Sequence, residues 1–310
     1  MTQSLVRFRT IARPVKPLWR QVWEHRLDYL FISPFYITWI LFAAYPFIWG
    51  LRLSFGYWKG FGPIEWVGLE NYGIMLKDPW LVKCLVNTFE FFIVMVPISL
   101  FVALLLAVVL NIKNLAGKGT FRTLYFMPYV TNTIMVGIVF LQLFDDGYGW
   151  VNAGLKAIGL QPVGWLRNNI WAAKFVVVFL GLWQNMGYYV LMFLGGLQGI
   201  EPELYEQARI DGANSWHQFW GLTLPLLKPI IFFFSVMATI SLVGAGAFAA
   251  PYILTQGGPE GETTTLMLRI YQLGIQGLRY GDSAAFGFMI SLLVVGIGAA
   301  QVRLQRAWMD

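Results

Sequence analysis

Residues 204–225 read LYEQARIDGANSWHQFWGLTLP, from Leu204 to Pro225. This polar run lies between two strongly apolar blocks, so its local structure decides how those blocks connect. Pro202, just ahead of it, suits a first helical turn, because its missing N–H is one that a helix leaves unbonded there. Glu203 and Glu206 then lie near the positive end of that helix. Asp211-Gly212 breaks it, since glycine accepts the positive φ of a sharp turn. ANSWHQFW (213–220) starts a second short helix, with Asn214 or Ser215 as its cap, and Pro225 and Pro229 are expected to end it. The stretch reads as two short helices joined by a tight turn. Trp216, Phe219 and Trp220 are offered on its surface, either to a socket in a partner or to lipid headgroups.

The flanking blocks set the class. The chain has 310 residues, 57% hydrophobic and only 12% charged, against about 25% charged in soluble domains. Its apolar residues fall in six blocks, at 30–53, 84–110, 122–144, 170–194, 230–253 and 283–302. Each reaches the ~20 residues that cross a hydrocarbon core. None alternates with period two, so these are helices rather than barrel strands. The expected fold is an all-α polytopic membrane protein with six transmembrane helices.

The net charge of +6 is carried early, by Arg7, Arg9, Arg13, Lys16, Arg20 and Arg26. A basic tail before a first span reads as positive-inside topology rather than nucleic-acid binding. The apolar block after it is too long for a signal-peptide core, so it reads as an uncleaved first span. Both termini are then cytoplasmic. The expected organisation is a basic tail (1–29), a first span with its extracytoplasmic loop (30–83), a core of five spans (84–304) holding the loop 196–229, and a short tail (305–310). The outside loops, 54–83, 145–169 and 254–282, are long enough to serve as binding surfaces or as lids.

Several chemistries are missing. NLAGKGT (114–120) has Ile112 where a phosphate loop needs its first glycine. His25 and His217 have no H-E-x-x-H frame, and no metal site is expected. The single cysteine, Cys84, forms no intrachain disulfide and reads as a small buried hydrophobe. No G-x-S-x-G elbow occurs. No enzyme activity and no cofactor are therefore expected of this chain. Most carboxylates lie in tails and loops. Glu90, about six residues into the second span, is either a functional intramembrane group or an interfacial one.

A polar path across the membrane needs polar groups on the bundle side of the spans. In the fourth block, Gln184, Asn185 and Tyr188 stand three and four residues apart and share one helical face, with Trp183 adjacent. Asn132 and Gln142 in the third block and Ser241 in the fifth are similar in kind. Aromatic rings and amides suit a sugar, stacking on its apolar face and bonding its hydroxyls. The plain alternative is packing and hydrogen bonding between helices, which uses the same residue types.

The quoted stretch resembles the coupling loop of ABC importer permeases, whose pattern is Glu-Ala-Ala, three residues, Gly, nine residues, Ile-x-Leu-Pro. Glu206, Ala208, Gly212, Leu224 and Pro225 fit; Gln207 and Leu222 depart mildly. VGLENY (67–72), FRTLYFMPYV (121–130), YILTQGGP (252–259) and IYQLGIQGLRYGDSAA (270–285) resemble the sugar-transporting branch, the maltose-type permeases. The resemblance implies the type I ABC importer permease fold in a prokaryotic cell membrane. It also implies a pore shared with a second permease subunit, two ATP-binding subunits that hold ATP and Mg, and an extracytoplasmic sugar-binding protein. Glu206, Ala208, Asp211, Gly212, Trp216, Phe219, Leu224 and Pro225 would then couple the chain to an ATPase, and Tyr188 would sit at a substrate contact. A permease for another solute, such as glycerol phosphate, is the nearest alternative. A secondary transporter acting alone is a third, and the coupling loop fits it poorly.

Overall fold

The computed structural model describes residues 18–112 and 115–309. Arg7, Arg9, Arg13 and Lys16, which carry the topology argument, lie outside these residues. The chain divides into two compact units, Met1–Arg52 and Leu53–Asp310.

The first unit holds a short helix α1 (Leu18–Glu24) and most of α2 (Arg26–Leu53). Phe31 and Phe42 are exposed, as are most large side chains of α2, which suits a helix solvated by lipid tails. A π turn at Ile40–Ala44 interrupts α2 just ahead of Pro46. A proline ring collides with the carbonyl four residues back, and the wider π turn moves that carbonyl aside.

The second unit opens with a two-stranded antiparallel hairpin, β1 (Gly56–Tyr57) and β2 (Glu65–Trp66), then α3 (Glu70–Lys77). The second span, α4 (Pro79–Asn111), starts five residues before the expected 84. The start signal is local: Asp78 Oδ1 accepts from Trp80 N at 2.9 Å, and Pro79 takes the first helical position.

The third span is not one helix. α5 (Lys118–Val130) and α6 (Thr133–Leu143) meet at 97°. Pro128 stands near the end of α5, and Asn132 starts α6 by accepting from Ile134 N at 2.8 Å. A short helix α7 (Trp150–Ala157) leads to the fourth span, α8 (Ile170–Gln198). α9 (Pro202–Ile210) follows.

The fifth span differs most from expectation. Pro225 and Pro229 do not end the second short helix. It begins at Ser215, passes through a π turn at Phe219–Thr223, and runs on to Val243 as α10 (215–243). The π turn lies just ahead of Pro225, the same device as in α2. The span then breaks at Gly244 instead of reaching 253 as one helix, and α11 (Ala249–Thr255) continues it. After α12 (Leu266–Tyr271) the last span, α13 (Tyr280–Met309), closes the chain. Among the described residues, five helices are long and apolar enough to cross a membrane, and the bent pair α5–α6, counted as one span, makes six.

Between helices in lipid there is little hydrophobic drive, so close packing holds the bundle. Leu104, Ala107, Val190, Phe193 and Leu227 fill one cluster among α4, α8 and α10. Phe91, Phe140, Val177 and Leu254 fill a second among α4, α6, α8 and α11. α8 runs through both and meets α5 at Gly187, where any Cβ would collide with the carbonyl oxygen of Tyr125.

Candidate functional site

The two broken spans meet around a cavity of about 240 Å³. Phe91, Met95 and Ser99 of α4, Tyr129 of α5, Thr133 of α6 and Gln184, Asn185 and Tyr189 of α8 line it, with Ser241 and the broken segment around Gly246–Pro251. Helix breaks at membrane depth are tolerated where protein covers the freed backbone or water fills a cavity. The fold therefore places irregular backbone, amides and aromatic rings around one hollow.

The sequence-derived path residues divide. Gln184, Asn185 and Ser241 reach the cavity. Gln184 is buried, and its Nε2 donates to Thr131 O at 3.2 Å and Thr133 Oγ1 at 2.8 Å. Asn185 Nδ2 donates to Gly181 O of its own helix at 2.8 Å. Tyr188 is not in the lining; its ring stacks on Tyr129, which is, with centroids 5.1 Å apart. Trp183 packs against Phe140 at 5.7 Å. Asn132 caps α6. Gln142 lies in a different cavity, beside Asp145, Asp146 and Arg167. There the N–H groups of Tyr148 and Gly147 both bond Asp145 Oδ1 and hold its carboxyl below the usual range.

The stretch 202–225 forms a second site. α9 ends on Gly212, whose φ of 84° lies in the left-handed region. Gly212 N donates to Arg209 O at 3.1 Å and Ala213 N to Ala208 O at 2.9 Å, so the turn satisfies the last carbonyls of α9. Asn214 Oδ1 accepts from His217 N at 2.9 Å and starts α10. The Tyr205 and Thr223 hydroxyls, 2.9 Å apart, tie the two helices together. Glu206, Asp211, Gly212 and Pro225 are exposed. Trp216 is 67% exposed and meets Trp220 edge-on at 5.5 Å. Ala208 is half-buried, while Phe219 and Leu224 pack on the cluster of α4, α8 and α10. Of the three aromatics read as surface groups, Phe219 thus turns inward.

Sequence reasoning missed a third grouping. Lys174 of α8 contacts Glu90 of α4 and Glu262 of the α11–α12 loop, and Lys83 also reaches Glu262. Glu90 and Lys174 stand 84 positions apart, so no spacing signal joins them.

Residues 72–309 match the family model of the binding-protein-dependent transport system inner membrane component. The chain belongs to this family. The permease is 35% identical over 279 residues to the lactose transport system permease protein LacF of Rhizobium radiobacter, covering 88% of this chain and 92% of that one. It is 36% identical over 287 residues to the arabinooligosaccharides transport system permease protein AraP of Halalkalibacterium halodurans, covering 91% and 88%. It is 32% identical over 278 residues to the sn-glycerol-3-phosphate transport system permease protein UgpA of Agrobacterium fabrum, covering 89% and 94%. Its fold matches a chain in the crystal structure of a bacterial ABC transporter involved in the import of the acidic polysaccharide alginate. The TM-score is 0.83 at 24% identity, over 94% of this permease and 99% of that chain. The six-span ABC importer permease fold expected from the sequence is therefore the one present, and the permease is a multi-pass membrane protein of a transport system.

Proposed function

We propose that the permease forms half the pore of an ATP-driven, binding-protein-dependent importer of a mono- or oligosaccharide. The observation that carries the reading is the cavity at the two span breaks, where Tyr129, Tyr189, Gln184 and Asn185 gather amides and rings. Rings stack on a sugar's apolar face, and amides bond its hydroxyls. The names of LacF and AraP point to the same class of solute.

In this reading a second permease completes the pore and two ATP-binding subunits, holding ATP and Mg, sit on the cytoplasmic side with both termini. Each grips one two-helix element such as 202–225, with Glu206 and Trp216 at the contact. A sugar-binding protein delivers its cargo to the outside loops. Alternating access follows as ATP binding and hydrolysis move the coupling element and, through α10 and α8, the cavity walls. UgpA, named for glycerol phosphate, supports a second reading for the solute alone.

The test is purification of the tagged permease from its own membranes, then reconstitution. The expected result is co-purification of an ATP-binding subunit and a second permease, with uptake that needs ATP and a sugar-loaded binding protein. Uptake by this chain alone, without ATP, would overturn the importer reading. Uptake of glycerol phosphate in place of sugars would overturn the choice of solute.

A further inference from the structure

The break in the third span is pinned from outside itself. Within the break, Thr131 N donates to Pro128 O at 3.2 Å, Thr131 Oγ1 donates to Met127 O at 2.9 Å, and Asn132 caps α6. These bonds are local and would follow the bend through a range of angles. The long-range link comes from α8. The two N–H groups of the Gln184 amide reach Thr131 O at 3.2 Å and Thr133 Oγ1 at 2.8 Å, one on each side of Asn132. Releasing a bonded amide or carbonyl costs free energy wherever the freed group finds no other partner.

The two arms of the elbow have different neighbours. α5 lies on α8, backbone against Gly187, three residues from Gln184. α6 lies against α11, the far half of the other broken span; a Cβ on Gly137 would come within 2.7 Å of Ile253 Cγ2. Gln184 stands where the arms diverge, and its side chain also lines the cavity. A change in the angle between α5 and α6 that moves Thr133 relative to α8 stretches or breaks the Gln184–Thr133 bond.

We propose that Gln184 is a positioning residue that holds the α5–α6 elbow at this bend, and that its release is part of the opening and closing of the pore. The proposal rests on the importer reading above. Its consequence is kinetic coupling: with the pin in place, the complex stays in this state until the binding protein and ATP act together. Without it, the other state becomes accessible without the binding protein. The equilibrium would move about fivefold per hydrogen bond lost.

The experiment uses the assembled complex in proteoliposomes and reads ATP hydrolysis with and without loaded binding protein, beside sugar uptake. Gln184→Met keeps length and removes both donors. Thr133→Val removes one acceptor and leaves Gln184 in place. Thr133→Ser keeps the hydroxyl. Thr133→Val, which loses one bond, should raise hydrolysis without binding protein about fivefold, and Gln184→Met, which loses two, about 25-fold; both should lower the sugar carried per ATP. Thr133→Ser should behave as the unmodified complex. The Gln184→Met/Thr133→Val double variant should match Gln184→Met, because the bond that Thr133→Val cuts is one of the two already lost. If Gln184→Met does not assemble, Thr133→Val carries the test alone. Assembled Thr133→Val with unchanged dependence on binding protein, or additive effects in the double variant, would overturn the proposal. Failure of the importer reading would show separately, as no binding-protein-stimulated hydrolysis in the unmodified complex.

Discussion

Lys174 Nζ lies 2.6 Å from Glu90 Oε2, and 3.1 Å away on its other side is Glu262 Oε2. Lys83 Nζ approaches the second oxygen of Glu262 at 3.2 Å. Beside this network Asn87 Nδ2 donates to Gly261 O and Thr264 O, and Leu266 N donates to Thr88 Oγ1. The loop between α11 and α12 is thereby clamped onto the first turns of α4 and α8. The carboxylate that looked isolated in the sequence of the second span has a cation of its own.

Removing the central cation should loosen the clamp. The Lys174 side chain is 11% exposed and Glu90 is 42% exposed, so the loss lies between that of a buried and a surface pair. Lys174→Met is expected to destabilise the complex by ~1–3 kcal/mol. Adding Glu90→Gln should restore part of that, because the stranded charge goes with it. Thermal unfolding of the detergent-solubilised complex measures both; a Lys174→Met protein as stable as the parent would remove the clamp's role.

The same network sets a pH dependence. Burial disfavours the charged form of Glu262, but the hydrogen bonds from Lys174 and then Lys83 outweigh it and lower its pKa from the ordinary 4.5. A carboxyl lowered in the folded state contributes stability fully above its unfolded value and loses it as pH falls through the folded one. Stability should therefore hold down to about pH 4.5 and decline below it, and Glu262→Gln should flatten that acid limb. A series of melting curves from neutral pH downward checks it.

Gly212 should tolerate little. At φ 84° a β-branched side chain is strained by ~1–2 kcal/mol, and proline would also delete the N–H that bonds Arg209 O. Gly212→Pro is expected to leave the chain in the membrane while abolishing uptake or separating it from ATP hydrolysis. Wild-type uptake with normal ATP use in that variant would count against a coupling role for the turn.

Trp216 and Phe219, three residues apart, should behave differently. Trp216 is largely exposed, so Trp216→Ala is expected to change chain stability by no more than about 0.5 kcal/mol yet weaken retention of the ATP-binding subunit on the column. Phe219 packs on the inner cluster, so Phe219→Ala should cost ~1–3 kcal/mol in melting experiments. Equal retention by both variants would show that the exposed face of 215–220 meets lipid instead.

Local signals carried much of this. The Pro202 start, the Gly212 turn and the Asn214 cap are each written in neighbouring residues, and the structure holds all three; of the six apolar blocks, the third and the fifth are broken. The Asp78-Pro79 start of α4 is equally local, but hydropathy does not mark it, because Asp78 and Lys83 lie ahead of the apolar block. The continuation of α10 through Pro225 was not legible, because a proline's effect on a helix depends on whether a π turn precedes it. Nor was the division of the polar candidates, since a shared helical face does not say what the face meets.

By itself the sequence determined the class of the molecule, the count of its spans and the place of the two-helix element. Those depend on long apolar runs and on single-residue backbone preferences, which act over a turn or two of chain. The tertiary structure alone decided that two spans break around one cavity and that Gln184 grips the elbow from another helix. It alone decided that Lys174 joins Glu90 to Glu262. Such groups come together only when helices far apart in the chain pack side by side, where lipid leaves buried polar atoms no partner but one another.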